Sequence, residues 1–148
     1  MAKLKKRHMT IHWKAIVQDD SSIPATEATL KEKATLVGRI GLMMLSVGTG
    51  AWRVRNSMNK VARCLGITCT ADIGLLAISY TCIEGTDTYT QSISNPTTGV
   101  NTHKLMQLEL FMKEFPDKVS TYSVKHIHEV LDEIQKLPAN YKAWNLGL

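Results

Sequence analysis

The sequence predicts an α+β fold in the order α-α-β-β-β-α-α, with helices segregated from an antiparallel sheet. Three observations carry this. Apolar residues recur at three- and four-residue steps between Leu30 and Leu65, and again between Leu105 and Ile134. Between these blocks, from Ile67 onward, the period falls to two. Glycine-containing breaks, Gly48-Thr-Gly50, Glu84-Gly-Thr-Asp87 and Pro96-Thr-Thr-Gly99, stand where one pattern gives way to the next.

The first helix starts near Thr26 or Thr29, the latter with Glu32 in the capping-box position. Its apolar face holds Leu30, Ala34, Val37, Gly41, Met44, Leu45 and Gly48. Gly38 and Gly41 each weaken a helix by about 1 kcal/mol relative to alanine, so they predict a close approach of another element. Gly48-Thr-Gly50 breaks this helix. A second carries Val54, Met58, Val61, Ala62 and Leu65 and ends at Gly66, and the two form a hairpin.

Ile67, Cys69, Ala71 and Ile73 alternate as one strand, and Leu76, Ile78, Tyr80 and Cys82 as the next, with Gly74 at their junction or at a bulge. Glu84-Gly-Thr-Asp87 predicts a hairpin turn, followed by a polar strand from Tyr89 to Asn95. A third helix begins at Asn101 or Thr102, presents Leu105, Leu108, Met112 and Phe115, and is expected to stop at Pro116. A fourth runs from near Ser123 through Val124, Ile127, Leu131 and Ile134 to Pro138.

With 148 residues, 44% of them apolar and 21% charged, the chain has the size and composition of one folded domain. Residues 1–24 are expected to be a basic, flexible tail and 25–138 the domain, with 139–148 beyond it. Much of the net charge of +5 lies in Lys3, Lys5, Lys6, Arg7 and Lys14. Such a leader suits a solvated tail, nucleic acid or an anionic membrane face. The body lacks interleaved aromatic and basic residues, so nucleic acid is not an expected partner. The tail is expected to be ordered only where Ile11, Trp13 and Ile16 find an apolar surface. No stretch reaches the roughly 18 to 20 apolar residues of a membrane span. Cys64, Cys69 and Cys82 are odd in number and lack CxxC spacing, which predicts reduced thiols and a cytoplasmic setting. No metal site or cofactor is expected.

Gly48-Thr-Gly-Ala-Trp-Arg-Val-Arg55, the strand pair around Asp72 to Thr81, Gly99-Val-Asn101 and the Leu105/Leu108 helix resemble, in order and spacing, the soluble N-terminal domain of the threonine/serine exporter family. The resemblance runs from about Val37 to Pro138. The family's Gly-Ala-Glu-x-x-Arg-Val-Glu pattern is met at Gly48, Arg53 and Val54, while Gly50 and Arg55 stand where the family has glutamates. The resemblance implies a cytoplasmic accessory, gating or sensing domain of a bacterial amino-acid or organic-acid exporter. Its implied partners are membrane helices of the same protein or of a companion subunit, with a small amino or organic acid as ligand. Residues 139–148 are then a linker towards a membrane part, with Tyr141, Lys142 and Trp144 suited to the headgroup level of the membrane.

The residues themselves offer limited chemistry. Arg53 follows a helix-breaking corner, where it suits either a structural pairing with Asp72 or a carbonyl, or a bidentate grip on a ligand carboxylate. Asn101 suits an N-cap, with Gly99 easing the turn before it. His103 lies in the same motif, and Trp52 lies in the corner. Arg53, Asp72, Asn101 and His103 are therefore the candidate ligand residues, and Gly48, Gly50, Trp52 and Gly99 the motif residues. A nucleophilic set can be written from Ser79, Cys82, His103 and Asp72, but no catalytic signature supports it, so no catalytic residue is assigned. A hydrolase-like enzyme remains the alternative in one class and a pure oligomerisation module in another. His126 and His128 are two apart and cannot chelate together; His128 falls at the core edge. Gly38, Gly41, Met43 and Met44 are expected to leave apolar surface that drives self-association.

Overall fold

The computed structural model describes residues 11–17, 22–94 and 101–137. Its elements are α1 (Leu30–Ser46), α2 (Ala51–Cys64), β1 (Thr68–Ile73), β2 (Ala77–Glu84), β3 (Asp87–Ser94), α3 (Thr102–Lys118) and α4 (Val124–Gln135), with short 3-10 turns at Trp13–Ala15 and Ala25–Glu27. The α-α-β-β-β-α-α order of an α+β fold is therefore present. Gly99 and the aromatic tail with Tyr141 and Trp144 lie outside the described residues, as do the basic residues before Ile11.

Thr29 caps α1 through a complete capping box. Its hydroxyl oxygen accepts from the Glu32 N–H at 3.2 Å, and Glu32 Oε1 accepts from the Thr29 N–H at 3.1 Å. The helix is not amphipathic in its surroundings. Residues from Glu32 to Leu45 are all buried, because α2, the inner face of the sheet and α4 enclose α1 from different sides. Two cations are buried with it, and each has a carboxylate partner: Lys33 pairs with Glu84 at 2.6 Å, and Arg39 pairs with Asp132. An unpaired buried charge would be strongly destabilising, so these pairs are a condition of burying the helix.

The glycines of α1 mark two close approaches. A Cβ on Gly38 would collide with the Tyr80 hydroxyl and ring, and one on Gly41 would lie 2.5 Å from Met58 Sδ. Met43 and Met44 are buried within the chain. The face expected to drive self-association is thus filled from inside by β2 and α2. The large apolar side chains left in solvent are others, chiefly Trp52, Leu75, Leu76 and Met106.

The sheet is an antiparallel meander, β1-β2-β3. Ile78, Tyr80 and Cys82 of β2 point inward and are buried, whereas Ser79 and Thr81 face out and bond across to Ser92 and Thr90. Leu76, expected to begin the inward series, is instead exposed in the β1–β2 turn, since β2 starts at Ala77. Gly85 (φ 62°) and Thr86 close the second hairpin between Glu84 and Asp87. Only Gly85 of the two is left-handed, which fits a type II′ turn.

Pro116 does not stop α3, which continues to Lys118. Proline removes one N–H and crowds the preceding turn, but bonding resumes beyond it: the Val119 N–H donates to Phe115 O at 3.0 Å and the Tyr122 N–H to Lys118 O at 2.8 Å. Ser123 caps α4 by accepting from the His126 N–H. In the leader, Trp13 is buried. Its ring stacks on His128 with centroids 4.8 Å apart, and its indole N–H donates to Asp132 at 3.3 Å.

Candidate functional site

The Gly48–Gly50 corner and the Asn101 motif meet through the backbone. Gly48 adopts φ 95°, which favours glycine and turns the chain out of α1. Thr49 then closes the helix end by donating its hydroxyl to Met44 O at 2.9 Å. Gly50 is the N-cap of α2 and offers no side chain. Across the corner, the Asn101 N–H donates to Val47 O at 3.3 Å. The Asn101 side chain caps α3 by accepting from the Lys104 N–H at 3.1 Å. Asn101 is thus engaged on both sides, as a cap and as a tie between α1 and α3.

Beyond the corner, α2 and α3 flank an open groove of about 370 Å³. Trp52, Arg53, Asn56, Ser57 and Lys60 line one wall, Glu109, Met112 and Lys113 the other, with Met44 behind them. Trp52 is 70% exposed. Arg53 forms an ion pair with Glu109 across the groove, both side chains about half exposed. The expected pairing of Arg53 with Asp72 does not occur. Asp72 stands exposed on β1 opposite Ser79, where water solvates it and no buried partner is required. His103 is exposed in the first turn of α3. Of the four candidate ligand residues, the groove takes in Arg53 and not Asp72, Asn101 or His103. The written nucleophilic set is dispersed too, with Ser79 on the outer face of the sheet and Cys82 in the core.

The groove presents charges of both signs. Lys60 and Lys113 add to Arg53, Glu109 opposes them, and Asn56 and Ser57 supply neutral hydrogen-bonding groups. A guanidinium favours a carboxylate in bidentate geometry, and a carboxylate beside it favours an ammonium. The arrangement therefore suits a small zwitterion better than a simple anion.

A second polar cluster, missed in the sequence, lies inside the protein. One Arg39 amino group, Nη1, donates to His128 Nδ1 and to His128 O, each at 3.1 Å. The other, Nη2, donates to Asp132 Oδ1 and to Gln135 Oε1, the latter at 2.8 Å. Because arginine only donates, Nδ1 is the acceptor and the neutral ring carries its proton on Nε2. Nε2 is buried and has no hydrogen-bond partner among the described residues. Burial first, then the Arg39 charge, push the His128 pKa down to about 3 against the opposing pull of Asp132. Burial likewise lowers that of Arg39, with Asp132 acting the other way. This is a neutral histidine in a structural network. Its sequence signal was Arg39 itself, a cation in an otherwise apolar helical run that needs a buried partner.

The small α+β domain thus carries a groove with charges of both signs, and no group of His, Cys, Asp and Glu that could hold a metal ion occurs among its described residues. The chain belongs to the threonine/serine exporter family: the family model ThrE, "Putative threonine/serine exporter", matches residues 35–148. No curated protein and no solved structure gives a match. The family ties the chain to transport and amino-acid export, and hence to a membrane. Among the described residues, no helix is long and apolar enough to cross one.

Proposed function

We propose that this chain is a cytoplasmic accessory domain of a bacterial threonine/serine exporter-like transporter, which senses the solute or gates its passage. Membrane helices of the same protein or of a companion subunit would carry out the transport. The family match over residues 35–148 is the observation that carries this reading. The α2–α3 groove supports its sensing form. Arg53, with Lys60 and Lys113 nearby, faces the solute carboxylate, and Glu109 faces its ammonium group. Arg53 and Glu109 pair with one another across the groove.

Calorimetry with L-threonine and L-serine tests the sensing form. Wild type should bind one of them, Arg53→Ala should not, and the melting temperature should move little, since exposed ion pairs contribute only about 0 to 1 kcal/mol. Absence of heat with wild type would leave gating without sensing. The membrane arm is read separately: full-length protein should co-sediment with membranes and cross-link to a membrane-spanning partner or segment, and its failure to do so would remove the transporter reading.

A further inference from the structure

We propose that Cys69 and Cys82 form a redox-sensitive dithiol that closes to a cross-strand disulfide when a low-molecular-weight disulfide, such as oxidised glutathione, is present. The two residues are direct partners in the β1–β2 register. The kind of pair follows from the turn. The Gly74 N–H donates to Ala77 O at 2.8 Å, so 74/77 is a hydrogen-bonded pair. Counting outward in twos, 72/79, 70/81 and 68/83 are hydrogen-bonded as well, which leaves 69/82 a non-hydrogen-bonded pair. The second hairpin agrees: closing between Glu84 and Asp87, it gives Cys82 a hydrogen-bonded partner in Tyr89 of β3 rather than in β1.

In non-hydrogen-bonded pairs the side chains approach more closely, with Cα atoms about 4.5 Å apart. A disulfide spans Cα separations of about 4.4 to 6.8 Å, so the bond requires no change of register. Both side chains point to the inner face of the sheet. The facing Cys82 thiol holds the Cys69 thiol below its ordinary pKa despite burial, and the facing Cys69 thiol, followed by burial, pushes Cys82 up. The roles therefore divide. Cys69 is half-buried on the edge strand and is the more readily ionised, whereas Cys82 is fully buried and reachable only through its partner.

The chemistry balances as thiol–disulfide exchange. The Cys69 thiolate attacks one sulfur of the oxidant, breaking its S–S bond and releasing one thiol. Cys82 then attacks Cys69 Sγ in the mixed disulfide and expels the second thiol. The protons of Cys69 and Cys82 end on the two released thiols, and the two electrons reduce the oxidant. Cys64, at the end of α2, takes no part.

The test uses the reduced native chain and its Cys64→Ser variant, each incubated with oxidised glutathione. Trypsin has no site between the three cysteines, so cleavage on the N-terminal side of aspartate is used, which separates Cys69 from Cys82 at Asp72. The variant should lose both thiols and about 2 Da in intact mass. Its peptide ending at Ala71 should remain joined to Asp72–Thr86 until a reductant is added. Cys69→Ser should abolish that link and leave Cys82 unmodified in the folded protein. A stable glutathione adduct on Cys69, a link that requires Cys64, or a link formed only after denaturation would each overturn the proposal.

Discussion

The Tyr80 hydroxyl donates to Ala34 O at 2.8 Å while its ring covers Gly38, so one side chain of β2 both bonds to α1 and occupies the room its glycine leaves. The same hydroxyl lies 2.9 Å from the Gln91 side-chain amide, which ties in β3. Helix and sheet are therefore joined at a point where neither partner has spare space.

Gly38→Ala should accordingly destabilise the protein, although alanine is the better helix former by about 1 kcal/mol. Its methyl group would push against the bonded hydroxyl, and overpacking of this kind costs about 1 to 3 kcal/mol. Urea unfolding of wild type and variant measures the difference. A more stable variant would show that Tyr80 yields freely.

Acid should weaken the fold through His128. Its folded pKa of about 3 lies below the ordinary value of 6.5. Between those values the unfolded chain binds the additional proton, so stability falls as pH is lowered through that window. The slope is up to about 1.4 kcal/mol per pH unit. The groups facing the ring are Arg39, Asp132 and Trp13. Melting curves between pH 7 and pH 4 should show a flatter decline in His128→Gln than in wild type, and equal slopes would remove His128 as the cause.

Gly50→Asp should stabilise α2. Gly50 has extended φ −72° and ψ 162°, and a Cβ there meets nothing within 4 Å. An aspartate can accept from the free N–H groups of the first turn and suits the helix dipole. A gain of a few tenths to about 1 kcal/mol is expected in thermal unfolding. Stability unchanged or lowered would mean that the neighbouring charges outweigh the cap.

Asp132→Ala should be costly for a surface-edge residue. It strips the buried Arg39 of its counter-charge and the Trp13 indole of its acceptor. Loss of one partner from a buried pair costs about 3 to 5 kcal/mol. Denaturation measures the loss, and tryptophan fluorescence should shift red as Trp13 undocks. Arg39→Met/Asp132→Leu should recover much of that stability, because two apolar side chains leave no charge behind.

The parts of the fold legible in the sequence are those with local causes. Thr29 and Glu32 announce a capping box three residues apart, Gly66 ends α2, and the switch to period two at Ile67 brings in the sheet. Asn101 is likewise a cap. What escaped depends on partners far along the chain. Lys33 finds Glu84 across 51 positions, and Arg39 finds Asp132 across 93. No spacing rule records either. Arg53 was legible as a corner residue in search of a carboxylate, but the choice of Glu109 over Asp72 follows from how α2 and α3 pack. Pro116 does cost the helix a bond, but Phe115 and Val119 on either side of it are buried in the core, and that tertiary packing, which no local pattern records, holds the last turn.

The enclosure of α1 also has a kinetic meaning. Sheet, α2 and α4 cover it on different sides, so no local fluctuation can expose its central amides to solvent without detaching several elements together. Deuterium uptake between Leu36 and Met44 should therefore proceed only through whole-molecule opening. The backbone of this one helix becomes an internal gauge of global stability, readable at a trace population of unfolded chains that no melting curve reaches.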